Sequence, residues 1–258
     1  MRKAMWLQQR LPRCFFHVGE LFRKRRDKAA MIKNILFDLD DTLLDFTRAE
    51  AIALTKALTE MDVPAQQAVL DRYHVINQRQ WELLEEGVLT RAEVLVSRFE
   101  ILFRELGLVR DPAETCQRYE GHLAEGHIFL PGAPELLAAL APRYKLHLAS
   151  NGAAAVQRQR LESAGILPYF QNVFISEEMG ADKPKPEFFH RCFAAIPGFD
   201  PAKALMVGDS LTSDIRGGRN AGIRTCWFNP KDKPVRPDIR PDYTVRALEE
   251  LPPLLETL

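Results

Sequence analysis

Six polar side chains stand at the ends of apolar runs, and together they could manage an anion: Asp38, Asp40, Ser150, Lys183, Asp209 and Asp214. The run Ile32-Lys-Asn-Ile-Leu-Phe37 reads as a buried strand that leads straight into Asp38-Leu-Asp40-Asp41-Thr42. Burying ionised carboxylates is costly unless something positive compensates, so acids that close such a strand point to a cation site. Three carboxylates share one pocket only when a divalent cation offsets their repulsion, and hard oxygen ligands suit Mg²⁺. The hydroxyl of Ser150 and the ammonium of Lys183 are then left to hold anionic oxygens, and a phosphate is the natural guest.

Residues so far apart in sequence meet only if the fold gathers them. After Pro131-Gly132 the chain alternates helix and strand. A helix at 136–140 precedes a strand at 145–149 that ends in Ser150-Asn151-Gly152, and a helix at 156–164 is stopped by Gly165. A strand at 173–176, a helix at 188–196 and a strand at 204–207 follow, the last ending in Gly208-Asp209. A helix at 214–220, a strand at 225–228 and a last helix at 248–255 complete the series. This rhythm predicts an α/β fold with a doubly wound parallel sheet, in which ligands bind outside the carboxyl ends of the strands.

Residues 46–129 read differently, as helix throughout. Thr90 and Glu93 have the spacing of a capping box, and Asp111-Pro112 opens another helix. Leu95, Phe99, Leu102 and Leu106 mark one buried stripe. The expected organisation is an α/β core of residues 31–45 and 130–258, with a helical bundle of residues 46–129 inserted after the first strand.

Composition narrows the function classes. With 46% hydrophobic and 27% charged residues in 258, the chain has material for a core, which argues against wholesale disorder. Equal numbers of basic and acidic residues, 35 each, remove the general attraction expected of a nucleic-acid binder. No run approaches the ~18 apolar residues of a membrane span. Four cysteines (Cys14, Cys116, Cys192, Cys226) form no Cys-x-x-Cys pair, so neither a zinc site nor a disulfide framework is expected, and a reducing, cytoplasmic setting fits. Residues 1–30 carry nine basic and two acidic side chains and read as a disordered basic extension.

The ordered set Asp38-Leu-Asp40-Asp-Thr42, Ser150, Lys183-Pro-Lys-Pro and Gly208-Asp209-Ser-Leu-Thr-Ser-Asp214 resembles the haloacid dehalogenase (HAD) superfamily over about residues 31–250. The inserted bundle falls where that family carries a helical cap. The resemblance implies phosphoryl transfer rather than carbon–halogen cleavage, because family dehalogenases lack the second carboxylate of the first motif and Asp40 is present. It implies that Asp38 is the nucleophile that becomes an aspartyl phosphate, and that Asp40 is the proton shuttle. Mg²⁺ would be held by Asp38, the Asp40 main-chain carbonyl and Asp209, with Asp214 behind them steadying the metal or Lys183. Phosphate would be held by Ser150, Asn151 and Lys183, the lysine directly before Pro184, leaving Lys185 as a surface charge. Asp41 and Asp45 read as turn or hinge residues, and His74, His122 and His127 as residues on helix faces.

A closer resemblance concerns substrate. The stretches Ile76-Asn77-Gln-Arg-Gln-Trp81, Arg98-Phe99-Glu100, Arg160-Leu-Glu162 and Ala221-Gly222-x-x-Thr-Cys226-Trp227-x-Asn229 are similar to those of bacterial pyrimidine 5′-nucleotidases acting on deoxyuridine, thymidine and modified pyrimidine monophosphates. The expected partner is therefore a small phosphorylated metabolite, a pyrimidine nucleotide first; the alternative is a sugar phosphate or phosphoglycolate. Trp81, Phe99 and Leu102, at helical spacing, read as core rather than as platforms for a base. Oligomeric state is left open.

Overall fold

The computed structural model describes residues 31–258, so the expectation for residues 1–30 lies outside the described residues. Six strands form one parallel sheet in the order β3-β2-β1-β4-β5-β6: β1 Asn34–Phe37, β2 Lys145–Ser150, β3 Phe170–Ile175, β4 Ala204–Gly208, β5 Arg224–Phe228 and β6 Tyr243–Val245. Strand side chains alternate between two apolar layers. Ile35, Phe37, Leu148, Leu205 and Val207 pack with Leu137, Leu161 and Leu251 on one face. Leu36, Ala149 and Met206 meet Phe188, Phe189 and Cys192 on the other.

Of the five helices between β1 and β2, four form the inserted bundle: α1 Phe46–Glu60, α2 Gln67–Glu85, α3 Arg91–Leu106 and α4 Pro112–Ala124. Each start has its chemical cause. Asp45 caps α1 by accepting from the Arg48 N–H, Thr90 and Glu93 form the capping box of α3, and Asp111 caps α4 ahead of its first-turn proline. A separate core holds the helices together: Tyr73, Phe99 and Tyr119 sit with ring centroids 5.0 to 5.7 Å apart, around fully buried Leu102. The later helices are α5 Ala133–Leu140, α6 Ala154–Ser163, α7 Ser176–Met179, α8 Pro186–Ala194, α9 Arg216–Asn220 and α10 Leu251–Leu255.

Details of several elements differ from the sequence reading. The first strand begins at Asn34 rather than Ile32, and β6, three residues long, has too little pattern to be read. The expected helix at 214–220 is a π-helical turn, Leu211–Ile215, followed by α9. His127 lies beyond α4, which ends at Ala124.

One buried group ties stability to pH. His147, inside β2 and fully buried, bonds Asn34 Oδ1 at 3.1 Å, and desolvation pushes the ring down to about 4. The unfolded chain takes up this proton near 6.5 while the folded chain resists it, so stability is intact above that pH and falls as pH drops toward 4. The loss attributable to this ring is on the order of 3 kcal/mol. Denaturant melts at pH 7 and pH 4.5 should therefore differ less for His147→Gln than for the parent, and equal differences would remove His147 from the account.

Candidate active site

β1 is the strand at which the winding of the sheet reverses, flanked by β2 on one side and β4 on the other. In such sheets the ligand crevice opens at that reversal, beyond the carboxyl ends. Phe37 pairs with Leu148 of β2 and Val207 of β4, so Asp38, Ser150 and Asp209 emerge within two residues of the same level. The local backbone is adapted to them. A Cβ at Gly208 would overlap the Asp214 carboxylate, so this position must be glycine for the π-helical turn to fold back onto β4.

Lys183 is the hub. Its ammonium, 1% exposed, donates to Asp38 Oδ1, Asp214 Oδ1 and the Ala149 carbonyl, each at 2.7 Å. Thr42 donates to Asp38 Oδ2 at 3.2 Å, and the Asp209 N–H donates back to Thr42 Oγ1 at 3.1 Å. Asp214 Oδ2 accepts from the Ser210 N–H at 3.1 Å. Carboxylate oxygens of Asp38, Asp209 and Asp214 lie within 4.8 Å of one another. Burial, with Asp214 and Asp40 adding repulsion against the charge of Lys183, raises Asp38 to about 7. Desolvation, then Asp38 and Asp214, holds Asp209 well above the carboxylate range. Burial works against the ammonium, but Asp214 and Asp38 outweigh it and keep Lys183 charged. One ammonium thus faces three hard oxygen donors whose charges remain under-compensated. That donor set fits a divalent cation of the Mg²⁺ type, to be held by Asp38 and Asp209 with Asp214 beside them.

The other expected residues are close but differently engaged. The Asp40 carboxylate lines the cleft beside Asp38 and is held by the Arg160 guanidinium and by Gln157 Nε2, the latter at 2.6 Å. The same Gln157 amide donates to Ser150 Oγ at 2.8 Å, and the Gly152 N–H donates to it at 3.1 Å. Both bonds use the oxygen as acceptor and leave its own hydrogen to be donated elsewhere. The Asn151 side chain is spent on the main chain of Lys183, accepting from its N–H and donating to its carbonyl at 2.9 Å each. It shapes the lysine loop and stands next to Ser150, where phosphate binding was expected of it. Lys185 is exposed, Asp45 is a helix cap, and Asp41 bonds Thr47 from a left-handed backbone, φ 55, as turn residues should.

A cleft of about 830 Å³, open mouth included, joins this edge to the helical bundle. Asp38, Asp40, Ser150, Lys183 and Asp209 line one side; Phe46, Trp81, Glu85, Leu95, Arg98 and Glu120 face them. Phe99, buried in the bundle, is absent from the wall, so Trp81 alone of the two aromatics can meet a ligand. Arg91 opens α3 and crosses to the α/β side, donating to the Asn151 carbonyl, Ser176 Oγ and the Asp182 carboxylate, neighbours of Ser150 and Lys183. Sequence reasoning gave no role to Gln157, Arg91 or Glu85 and met Arg160 only within a stretch similar to pyrimidine 5′-nucleotidases. In the structure Gln157 and Arg160 lie buried on α6 beside Val156 and Leu161.

A parallel sheet whose reversal point gathers carboxylates, a hydroxyl and one lysine beneath a helical insertion is the layout of a hydrolase with an α/β Rossmann-like core. The chain belongs to the haloacid dehalogenase-like hydrolase family, whose model matches residues 32–222. It is 43% identical over 220 residues to the pyrimidine 5′-nucleotidase PynA of Streptococcus pneumoniae, covering 85% of this chain and 93% of that one. The pyrimidine 5′-nucleotidase YjjG of Escherichia coli is 34% identical over 221 residues, covering 86% and 96%. The crystal structure of the HAD-hydrolase YfnB of Bacillus subtilis bound to magnesium has a TM-score of 0.84 and 42% identity, covering 87% of this chain and 98% of that one. Among the described residues no helix is long and apolar enough to cross a membrane.

Proposed function

We propose that this enzyme is a Mg²⁺-dependent phosphomonoesterase that hydrolyses pyrimidine nucleoside 5′-monophosphates through an aspartyl phosphate on Asp38. The observation that carries the reading is the Lys183 ammonium bridging Asp38 and Asp214, beside Asp209, at the floor of a cleft with an aromatic wall. Identity with PynA and YjjG over most of the chain supports the nucleotide class. Residues 31–45 and 130–258 form the catalytic core in this reading, and residues 46–129 act as a cap.

An Asp38 oxygen attacks phosphorus, the bond from phosphorus to the nucleoside oxygen breaks, and Asp40 gives that oxygen its proton. Water then attacks the acyl phosphate while Asp40 takes the water's proton, releasing inorganic phosphate and restoring Asp38. The bound Mg²⁺ supplies positive charge that lets an anionic nucleophile meet an anionic substrate. Ser150 donates to a phosphoryl oxygen; Lys183, whose three hydrogens are held by Asp38, Asp214 and the Ala149 carbonyl, turns the one on Asp38 to the phosphoryl group as that carboxylate attacks, and Gln157 with Arg160 keeps Asp40 beside Ser150.

The cap side of the cleft would hold the base against Trp81, out of water. A panel of nucleotides and sugar phosphates, with Mg²⁺ and with chelator, tests the proposal. Pyrimidine monophosphates should exceed purine monophosphates in kcat/KM by about tenfold, because a pocket fitted to one ring clashes with two, and chelation should abolish turnover. Sugar phosphates or purine nucleotides outrunning pyrimidines would remove the nucleotidase assignment and leave the general phosphatase.

A further inference from the structure

The mechanism above leaves one cleft group without a task. Glu85 is the last residue of α2, one turn beyond Trp81 on the same helix face, and both line the cleft. Its Oε2 is buried and has no hydrogen-bond partner among the described residues. The helix end rests against the Leu211–Ile215 turn, so Thr212, Asp214 and Lys183 are the groups that face Glu85 from the sheet side. This places the carboxylate at the phosphate end of the cleft. Burial first, with Asp214 adding repulsion, pushes it up to about 7, although Thr212 and Lys183 ease the charge. Lys183 is already committed to Asp38 and Asp214 and offers Glu85 no direct bond.

A carboxylate beside the place where a phosphate must bind opposes binding unless it serves selection. In a monoester the group next to the leaving oxygen is neutral and, in a nucleotide, is a sugar whose hydroxyl can donate to the orphaned oxygen. In a diphosphate the same place holds a second phosphoryl group, charged and without a donor. We propose that Glu85 is a specificity-determining residue that admits a neutral sugar next to the reacting phosphate and rejects a second phosphate. This rests on the phosphomonoesterase reading and deepens it, since it separates nucleoside monophosphates from di- and triphosphates.

The test compares dUMP, dUDP and p-nitrophenyl phosphate at about pH 8.5, where the Glu85 carboxylate is ionised, on the parent, on Glu85→Gln, which keeps the shape and removes the charge, and on Glu85→Ser as a second uncharged variant, each checked by thermal melt. The ratio of kcat/KM for dUDP to that for dUMP should rise about tenfold in both variants, the equivalent of one like-charge contact removed. With p-nitrophenyl phosphate, whose aryl group brings neither a sugar hydroxyl nor a second phosphate, kcat/KM should not rise with the dUDP to dUMP ratio, which separates selection from a general change at the phosphate end. An unchanged ratio, or equal losses on all three substrates, overturns the proposal. If the parent prefers sugar phosphates, the nucleotidase reading fails, and the screen is then scored on a sugar 1-phosphate against its 1-diphosphate.

Discussion

Asp38→Asn is expected to leave a folded protein whose phosphatase turnover is lower by about 10³-fold or more. The two atoms of the Asp38 carboxylate are fixed by different partners, Oδ1 by Lys183 and Oδ2 by Thr42, so the group is aimed rather than merely present. An amide oxygen is a poor nucleophile, and the substitution also withdraws one charge from the cation's donor set. Stability should hold, since the substitution removes a carboxylate that burial first, then repulsion from Asp214 and Asp40, already raises to about 7. Melting temperature and steady-state rates on dUMP check both halves. Turnover within about tenfold of the parent would sink the covalent account.

Lys183→Met is expected to damage both stability and activity. Among the described residues the ammonium is the one counter-charge in contact with both Asp38 and Asp214, and it also satisfies the Ala149 carbonyl at the end of β2. Breaking a buried pair strands the partner's charge and costs about 3–5 kcal/mol, which for a domain of this size lowers the melting temperature by about 10 °C. Added Mg²⁺ should restore part of that loss, because a cation among the carboxylates takes over the electrostatic role of the ammonium, while hydrolysis stays lost. Lys185→Met, on an exposed side chain two residues on, serves as the control and should behave as the parent. A Lys183→Met protein as stable as the parent would mean that the carboxylates are compensated elsewhere.

The parts of this site that could be read from the chain are those tied to strand ends. Asp38, Ser150 and Asp209 each follow an apolar run directly, and a parallel sheet has only one edge at which such residues can appear. Residues that act across the fold left little trace. Arg160 and Gln157 grip Asp40 from 120 and 117 positions away, and nothing in their own neighbourhood names that partner. Arg91 and Glu85 look like ordinary helix-surface charges until the bundle is placed over the sheet. Asn151 sits in the expected loop, yet whether its amide turns to a ligand or to the Lys183 backbone depends on a loop 32 residues later. Trp81 and Phe99 share helical spacing and aromatic character, so only the packing of α2 against α3 decides that one is wall and the other core. The π-helical turn at Leu211–Ile215 was equally hidden, because it depends on Ser210 and Asp214 closing on each other beneath β4.

The proposed hydrolysis turns on a covalent bond between phosphorus and Asp38. The most direct measurement is borohydride trapping: the enzyme turning over dUMP with Mg²⁺ is quenched into borohydride, digested, and mapped by mass spectrometry. An acyl phosphate is reduced where a free carboxylate is not, so residue 38 should be recovered as homoserine only in samples that contained substrate, and not in Asp38→Asn. Rapid hydrolysis with no reduced residue, or reduction at an acid other than Asp38, would contradict the account.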